Sequence, residues 1–259
     1  MLAGIRSHSV LPAAAIFLFS LLLLLPCSAS SQGVKMVMVT EQWPPFRIND
    51  EKSPSGFRGI DIDIVRKLEE VLGITIEIQR VPWARALEMM RNGQADMVTG
   101  AAHTVEREIF MHYVPVSYYA VHPVFYTQKG KGQVIRSYQD LYGKTIGYSL
   151  NSAYFEPFNS DTKLNKVGLS TESQLLQVLA LKRLDLVIGT EPNISYDRAR
   201  LGYLEVLEPT VYQPLEKTEL FITLSRKSKK AMEYGPGMER ALRTFMKDGT
   251  IKALLREYR

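Results

Sequence analysis

The chain has 259 residues, 46% hydrophobic and 23% charged, with a formal net charge of +5. That is ordinary globular composition, long enough for one or two domains with their own cores. A single cysteine, Cys27, excludes a disulfide framework and a thiolate metal site. The densest basic run, RKSKK at 226–230, has no aromatic residues interleaved, so it describes a solvated face and not a nucleic-acid surface.

Residues 1–31 read as a secretory signal peptide. Arg6 supplies the positive n-region, LPAAAIFLFSLLLLL (11–25) the apolar h-region, and PCSASSQG the small residues around a cleavage point after Ala29 or Ser31. The apolar run of about fifteen residues is short for a membrane span, and a retained N-terminal anchor is the alternative. Proline immediately before Cys27 does not fit a lipidation signal. The mature chain is then exported to the periplasm without a cysteine, and its core must hold it together.

From Val34 short apolar strands alternate with amphipathic helices. KMVMVTEQ (35–42) reads as a strand, 60–72 as a helix closed by Gly73, and ITIEIQRV (74–81) as an alternating strand. PWARALEMMRNG (82–93) opens on proline, runs as a helix and stops at Gly93, before the buried strand ADMVTGA (95–101). This alternation predicts α/β lobes with parallel strands between helices. The unit recurs: LEMMRNGQADMVTG (87–100) and LQVLALKRLDLVIG (176–189) share helix, turn, strand-opening Asp and closing Gly, with Asp96 and Asp185 in equivalent places. A second strand start, 143–153, precedes the second copy. Such an echo suggests two similar lobes, although any α/β chain repeats helix, turn and strand. The run 118–133 is the crossing point between lobes, 219–227 the return, and 238–259 two helices split at Asp248–Gly249 that pack back on the first lobe.

One stretch, MVTGAAHTVEREIF (97–110), sets a puzzle. A helix starts at Thr104, and Glu106 in its first turn suits the positive end of the helix, but Arg107 does not. Either Arg107 is exposed and paired with Glu106 or Glu108, or an anion sits between the guanidinium and the free helix N–H groups.

The pieces WPPF (43–46), GFRGIDIDIV (56–65), PWARAL (82–87), NGQADMVTGAAHTVER (92–107), LYGKTIGYSLNSA (141–153), LKRLDLVIG (181–189) and KDGTIKALLREY (247–258) stand in a specific order and spacing. With them, residues 34–259 resemble the periplasmic solute-binding proteins of family 3, the polar amino-acid-binding type. The PWxRA form of PWARAL resembles a less characterised branch. The resemblance implies a two-lobed Venus-flytrap fold of type II, each lobe a mostly parallel sheet flanked by helices. Lobe 1 would comprise 33–121 and 222–259, and lobe 2 would comprise 122–221. Ligand would sit between them, beyond the carboxyl ends of the strands.

The resemblance also implies roles. Arg107 matches the arginine that grips a ligand carboxylate with two parallel hydrogen bonds, with Thr104 as its helix cap and neighbour. Ala102 stands where a hydroxyl residue is expected, leaving backbone there. Trp43 and Trp83 match positions that cover the ligand's side chain, core packing being the other reading. Glu41 and Arg85 flank those walls, as selectivity groups or solvated charges. Ser152 would meet the carboxylate from the opposite lobe, with Tyr148 and Tyr154 on the same wall or in the core. The aspartate that usually holds an α-ammonium falls on Thr190; Glu191 is adjacent but on the other side of the strand. An anionic group on the ligand is therefore implied, and an α-amino group is not.

The expected function is periplasmic capture of a small carboxylate-bearing solute, an amino acid or derivative. A monomer without cofactor or metal would deliver it to an inner-membrane ABC permease. The alternatives are a ligand-sensing partner of a membrane receptor, or a cyclohexadienyl-dehydratase-like enzyme on the same scaffold, which would need a positioned acid. His103, His112 and His122 are not spaced as a metal set.

Overall fold

The computed structural model describes residues 33–258, with Met1 and Gly4; the signal-peptide reading of 1–31, Cys27 included, lies outside the described residues apart from those two positions. The first half runs β1 (Lys35–Thr40), a small hairpin of β2 (Ile48–Asn49) and β3 (Phe57–Arg58), α1 (Ile60–Leu72), β4 (Thr75–Arg80), α2 (Trp83–Asn92), β5 (Met97–Ala102), α3 (Val105–Glu108) and β6 (Met111–Tyr113). Then come β7 (Tyr119–Gln128), β8 (Thr145–Ser149), β9 (Asn165–Leu169), α4 (Glu172–Ala180), β10 (Leu186–Glu191), α5 (Asn193–Arg200), β11 (Leu207–Pro209), β12 (Thr218–Ser225), α6 (Lys229–Lys247) and α7 (Thr250–Glu257).

The strands order as β4-β1-β5-β12-β7-β10-β8-β9. The inner strands of each lobe are parallel, β4-β1-β5 in one and β10-β8-β9 in the other. The two long crossing strands join them: β7 pairs antiparallel with β12 at Tyr119–Val121 and with β10 from His122 onward. Alternation along a strand sends neighbours to opposite faces. In β1, Met36 and Met38 face the layer of α1, α6 and α7, whereas Val37 and Val39 face that of α2. Phe125, Leu186 and Ile188 likewise face one layer of the second lobe, and Val124, Tyr126 and Val187 the other.

The sequence echo is a structural one. Asp96 Oδ2 accepts from the Val37 N–H at 2.6 Å, and Asp185 Oδ2 accepts from the Thr145 N–H at 2.8 Å, so each Asp pins the first strand of its lobe. Both turns pass through the left-handed region, at Gly93 (φ 74°) and at Lys182 (φ 60°). Glycine does so freely, while a lysine there is strained.

Two expectations change. The helix placed at 238 begins at Lys229 and passes through Gly235, Pro236 and Gly237. Glycine and proline are the poorest helix formers, but Ser228 caps the helix, and Gly235 lies so near the sheet that a Cβ would meet Leu224 at 3.3 Å. Tertiary packing overrides the local signal. The helix at Thr104 is a single turn of four residues, so its dipole is slight and the discomfort of Arg107 has another source.

Candidate functional site

A cavity of about 500 Å³, counted to its open mouth, lies between the two halves of the sheet. Seven of the nine expected site residues line it: Glu41, Trp43, Trp83, Ala102, Arg107, Ser152 and Thr190. Thr104 and Tyr148 line an adjoining groove on the other side of Arg107.

Thr104 caps α3 by accepting the Arg107 N–H, and this turn folds the guanidinium inward; Arg107 is only 6% exposed. Its Nη1 donates to the Ala102 carbonyl at 2.8 Å and its Nη2 to the Asn151 carbonyl, on the opposite lobe, at 2.6 Å. The guanidinium also lies over the Trp83 ring, 5.3 Å from its centroid. Neither Glu106 nor Glu108 pairs with it: they serve Arg91 and His103. Burial therefore pulls the Arg107 pKa down, the phenolic oxygen of Tyr113 and the charge of Glu106 opposing. A cation out of water without a counterion costs several kcal/mol on the order-of-magnitude scale. That burial, and not the helix dipole, answers the puzzle of its placement.

Trp83 begins α2 behind Pro82, and Pro82 fixes the entry of the chain. Its N–H donates to Glu41 Oε2 at 3.1 Å, and its indole Nε1–H crosses the cleft to the Asn151 carbonyl at 3.3 Å. Burial pushes the Glu41 carboxyl up to about 7, the Arg47 charge and the Trp83 N–H holding it back. Trp43 stacks on Phe46, and the Arg47 guanidinium lies over the Trp43 ring, 4.9 Å from its centroid. Arg47, also at the cavity, is neutralised beneath it by fully buried Asp61, which also accepts from Tyr118 Oη at 2.7 Å. Gly100 makes room for this pair: at φ 69°, a Cβ there would come 2.6 Å from Arg47 Nη1.

On the opposite wall Thr190 turns inward and Glu191 outward, the latter accepting from Tyr126 Oη at 3.0 Å and Ser195 Oγ at 2.7 Å. Behind Thr190 stands Glu172, the first residue of α4, which the sequence reading missed. Its Oε1 accepts from the Thr190 N–H at 3.2 Å and from Thr190 Oγ1 at 3.3 Å, while its buried Oε2 has no partner among the described residues. An acid in a first helical turn is commonplace, so nothing in the sequence set it apart. Asn193 Nδ2 donates across the cleft to the Pro44 carbonyl at 2.6 Å. Ser152 lines the cavity beside Tyr154, whose hydroxyl accepts from the Ser149 N–H at 3.0 Å while its ring belongs to the second-lobe core. Arg85 leaves the site for a surface pair with Glu88 at 2.8 Å, and His103 does the same with Glu108 at 2.7 Å. Among the described residues no group of three or more His, Cys, Asp or Glu could hold a metal ion.

The arrangement offers, at one side of an aromatic-walled cavity, a cation with no carboxylate partner among the described residues, and two carboxyls at the other. The chain is 28% identical over 174 residues to the arginine-binding extracellular protein ArtP of Bacillus subtilis, covering 62% of this chain and 65% of that protein. It is 24% identical over 242 residues to the "Probable amino-acid-binding protein YxeM" of the same species, covering 89% and 86%. Among solved structures, the amino acid ABC transporter substrate-binding protein AbpA from Streptococcus pneumoniae, bound to L-arginine, superposes with a TM-score of 0.74 at 18% identity, covering 88% of this chain and 95% of that one. That likeness shows the two-lobed fold. The model of the bacterial extracellular solute-binding proteins, family 3, matches residues 36–259, and the chain belongs to that family.

Proposed function

We propose that the protein captures a small carboxylate-bearing solute, an amino acid or derivative, in the periplasm and delivers it to an inner-membrane ABC permease. The lobes, 33–121 with 222–259 and 122–221, would close on it about β7 and β12. The carrying observation is Arg107: a guanidinium buried in the cavity, hydrogen-bonded to the Ala102 and Asn151 carbonyls and with no carboxylate partner among the described residues. A carboxylate entering there would accept two charge-assisted hydrogen bonds and supply the missing counterion. Trp43 and Trp83 would wall the solute's body, and Ser152 would meet it from lobe 2. The names of ArtP and YxeM and the L-arginine bound to AbpA support an amino acid as the solute class. In this reading the site captures its solute without turnover, and the protein acts as a monomer after removal of residues 1–31.

The test is a thermal-shift and calorimetric screen of amino acids and organic acids against the exported chain. A carboxylate hit whose affinity collapses in Arg107→Met supports the reading. A hit indifferent to that substitution refutes the clamp, and turnover of a prephenate-like substrate would refute capture in favour of catalysis.

A further inference from the structure

The loss of an acid at position 190 does not leave the cavity without a cation partner. We infer that Glu172, reaching from the start of α4 past Thr190, forms with Glu41 a subsite for an organic ammonium opposite Arg107. The inference rests on the proposed carboxylate clamp and extends it to the solute's second charge.

The first support is Glu172 Oε2. Glu172 is 9% exposed, it lines the cavity, and Oε2 has no hydrogen-bond partner among the described residues. A buried carboxyl oxygen without a donor is costly, and an N–H donor from the ligand would relieve it. Oε1 is already used by Thr190, which fixes the carboxyl plane. Closeness is built in as well: a Cβ on Gly189 would lie 3.2 Å from Oε1.

The second support is the charge around it. Arg47 is spent on Asp61, and Asp197 on α5 is spent on Arg200 at 2.9 Å and on Ser173. What remains in the cavity, among the described residues, is one cation without a paired carboxylate, Arg107, and two carboxyls without a paired cation, Glu41 and Glu172. A ligand with a carboxylate at one end and an ammonium at the other completes both sides.

The groups facing Glu172 are Asp197 from α5, Glu41 from the end of β1, Tyr154 from lobe 2, and Thr190 with Asn193. Burial first, then the charges of Asp197 and Glu41, pushes the Glu172 carboxyl up to about 8, against the pull of the Thr190 donors. Near neutral pH the empty cavity therefore holds a proton on this pair. An ammonium would displace it, so binding should release protons and strengthen from pH 6 to pH 8.

The probes are the twenty L-amino acids, each paired with its deaminated carboxylic acid and its decarboxylated amine, titrated calorimetrically in buffers of different ionisation enthalpy. The expected result is that the best amino acid binds at least tenfold tighter than its deaminated acid, with net proton release at pH 7. Glu172→Gln, which keeps an oxygen for the Thr190 N–H, should erase most of both differences, and Glu41→Gln part of them. A deaminated acid binding within about threefold of its amino acid, without proton release, overturns the ammonium subsite and leaves the Arg107 clamp standing. Amines that bind without a carboxylate and need Glu172 support the subsite and refute the clamp. No binding by any of these amino acids, deaminated acids or amines overturns both. The wild-type comparison needs no variant, so a misfolded Glu172→Gln does not rescue the idea.

Discussion

Replacing Arg107 by methionine separates a binding role from a structural one, because the two predict opposite signs. In the ligand-free protein the substitution deletes two hydrogen bonds and a contact with Trp83. Neither carbonyl is orphaned: Ala102 still accepts from Tyr113 Oη at 3.0 Å, and Asn151 from Trp83 Nε1 at 3.3 Å. The lost bonds to a charged donor are worth about 1.5–3 kcal/mol each, and removing an uncompensated buried cation returns a similar sum. Stability should change by no more than about 2 kcal/mol, a shift in Tm within about 4–8 °C for a chain of this size. Affinity should not be spared. Truncating one partner of a buried charge pair costs about 2–5 kcal/mol, a loss of roughly 30- to 5,000-fold. Scanning calorimetry of the ligand-free protein and isothermal titration with the carboxylate hit measure the two quantities. A collapse in Tm with unchanged affinity would refute the reasoning, because it would make Arg107 a core brace.

Asp61→Leu strands Arg47 in the core and takes the acceptor from Tyr118; unfolding should become easier by about 3–5 kcal/mol, seen as a lower denaturation midpoint. Glu172 holds its proton up to about pH 8 when folded, against an ordinary 4.5. The unfolded chain thus binds fewer protons between these values, and ligand-free stability should fall as pH rises through that window; melting curves from pH 5 to 8 should be flatter for Glu172→Gln. Asn193→Ala removes the donor to the Pro44 carbonyl across the cleft, so ligand should leave faster, by about threefold to tenfold in stopped-flow dissociation. Lys182→Gly relieves a left-handed lysine and should raise stability by about 0.5–1 kcal/mol in urea titration.

Much of the molecule was legible because it depends on local periodicity. Strand alternation at 35–40, helical spacing at 60–72 and the stops at Gly73 and Gly93 follow from backbone preferences that each residue carries with it. The paired motifs around Asp96 and Asp185 announced two lobes, and both side chains do the same work in the fold. Trp43, Trp83, Arg107 and Ser152 reach the cavity as expected from motif positions. Their service to a ligand is what the proposed experiments test.

Other features were invisible for a physical reason. Glu172 and Thr190 lie 18 positions apart and meet only because α4 packs against β10; the sequence showed a missing acid at 190 and could not show its replacement. The helix at 229–247 extends nine residues before the start read at 238, through Gly235, Pro236 and Gly237, which disfavour helix locally and are carried by packing on the sheet. Arg107 looked like a question of helix dipole, whereas the fold made it one of burial. The amino-acid order by itself determined the alternating elements, the two-lobe repeat and the family, since these are written in short-range pattern. Tertiary structure alone decided which charges are spent on each other and which are left facing the cavity, because ion pairing and desolvation depend on distance in space and not along the chain.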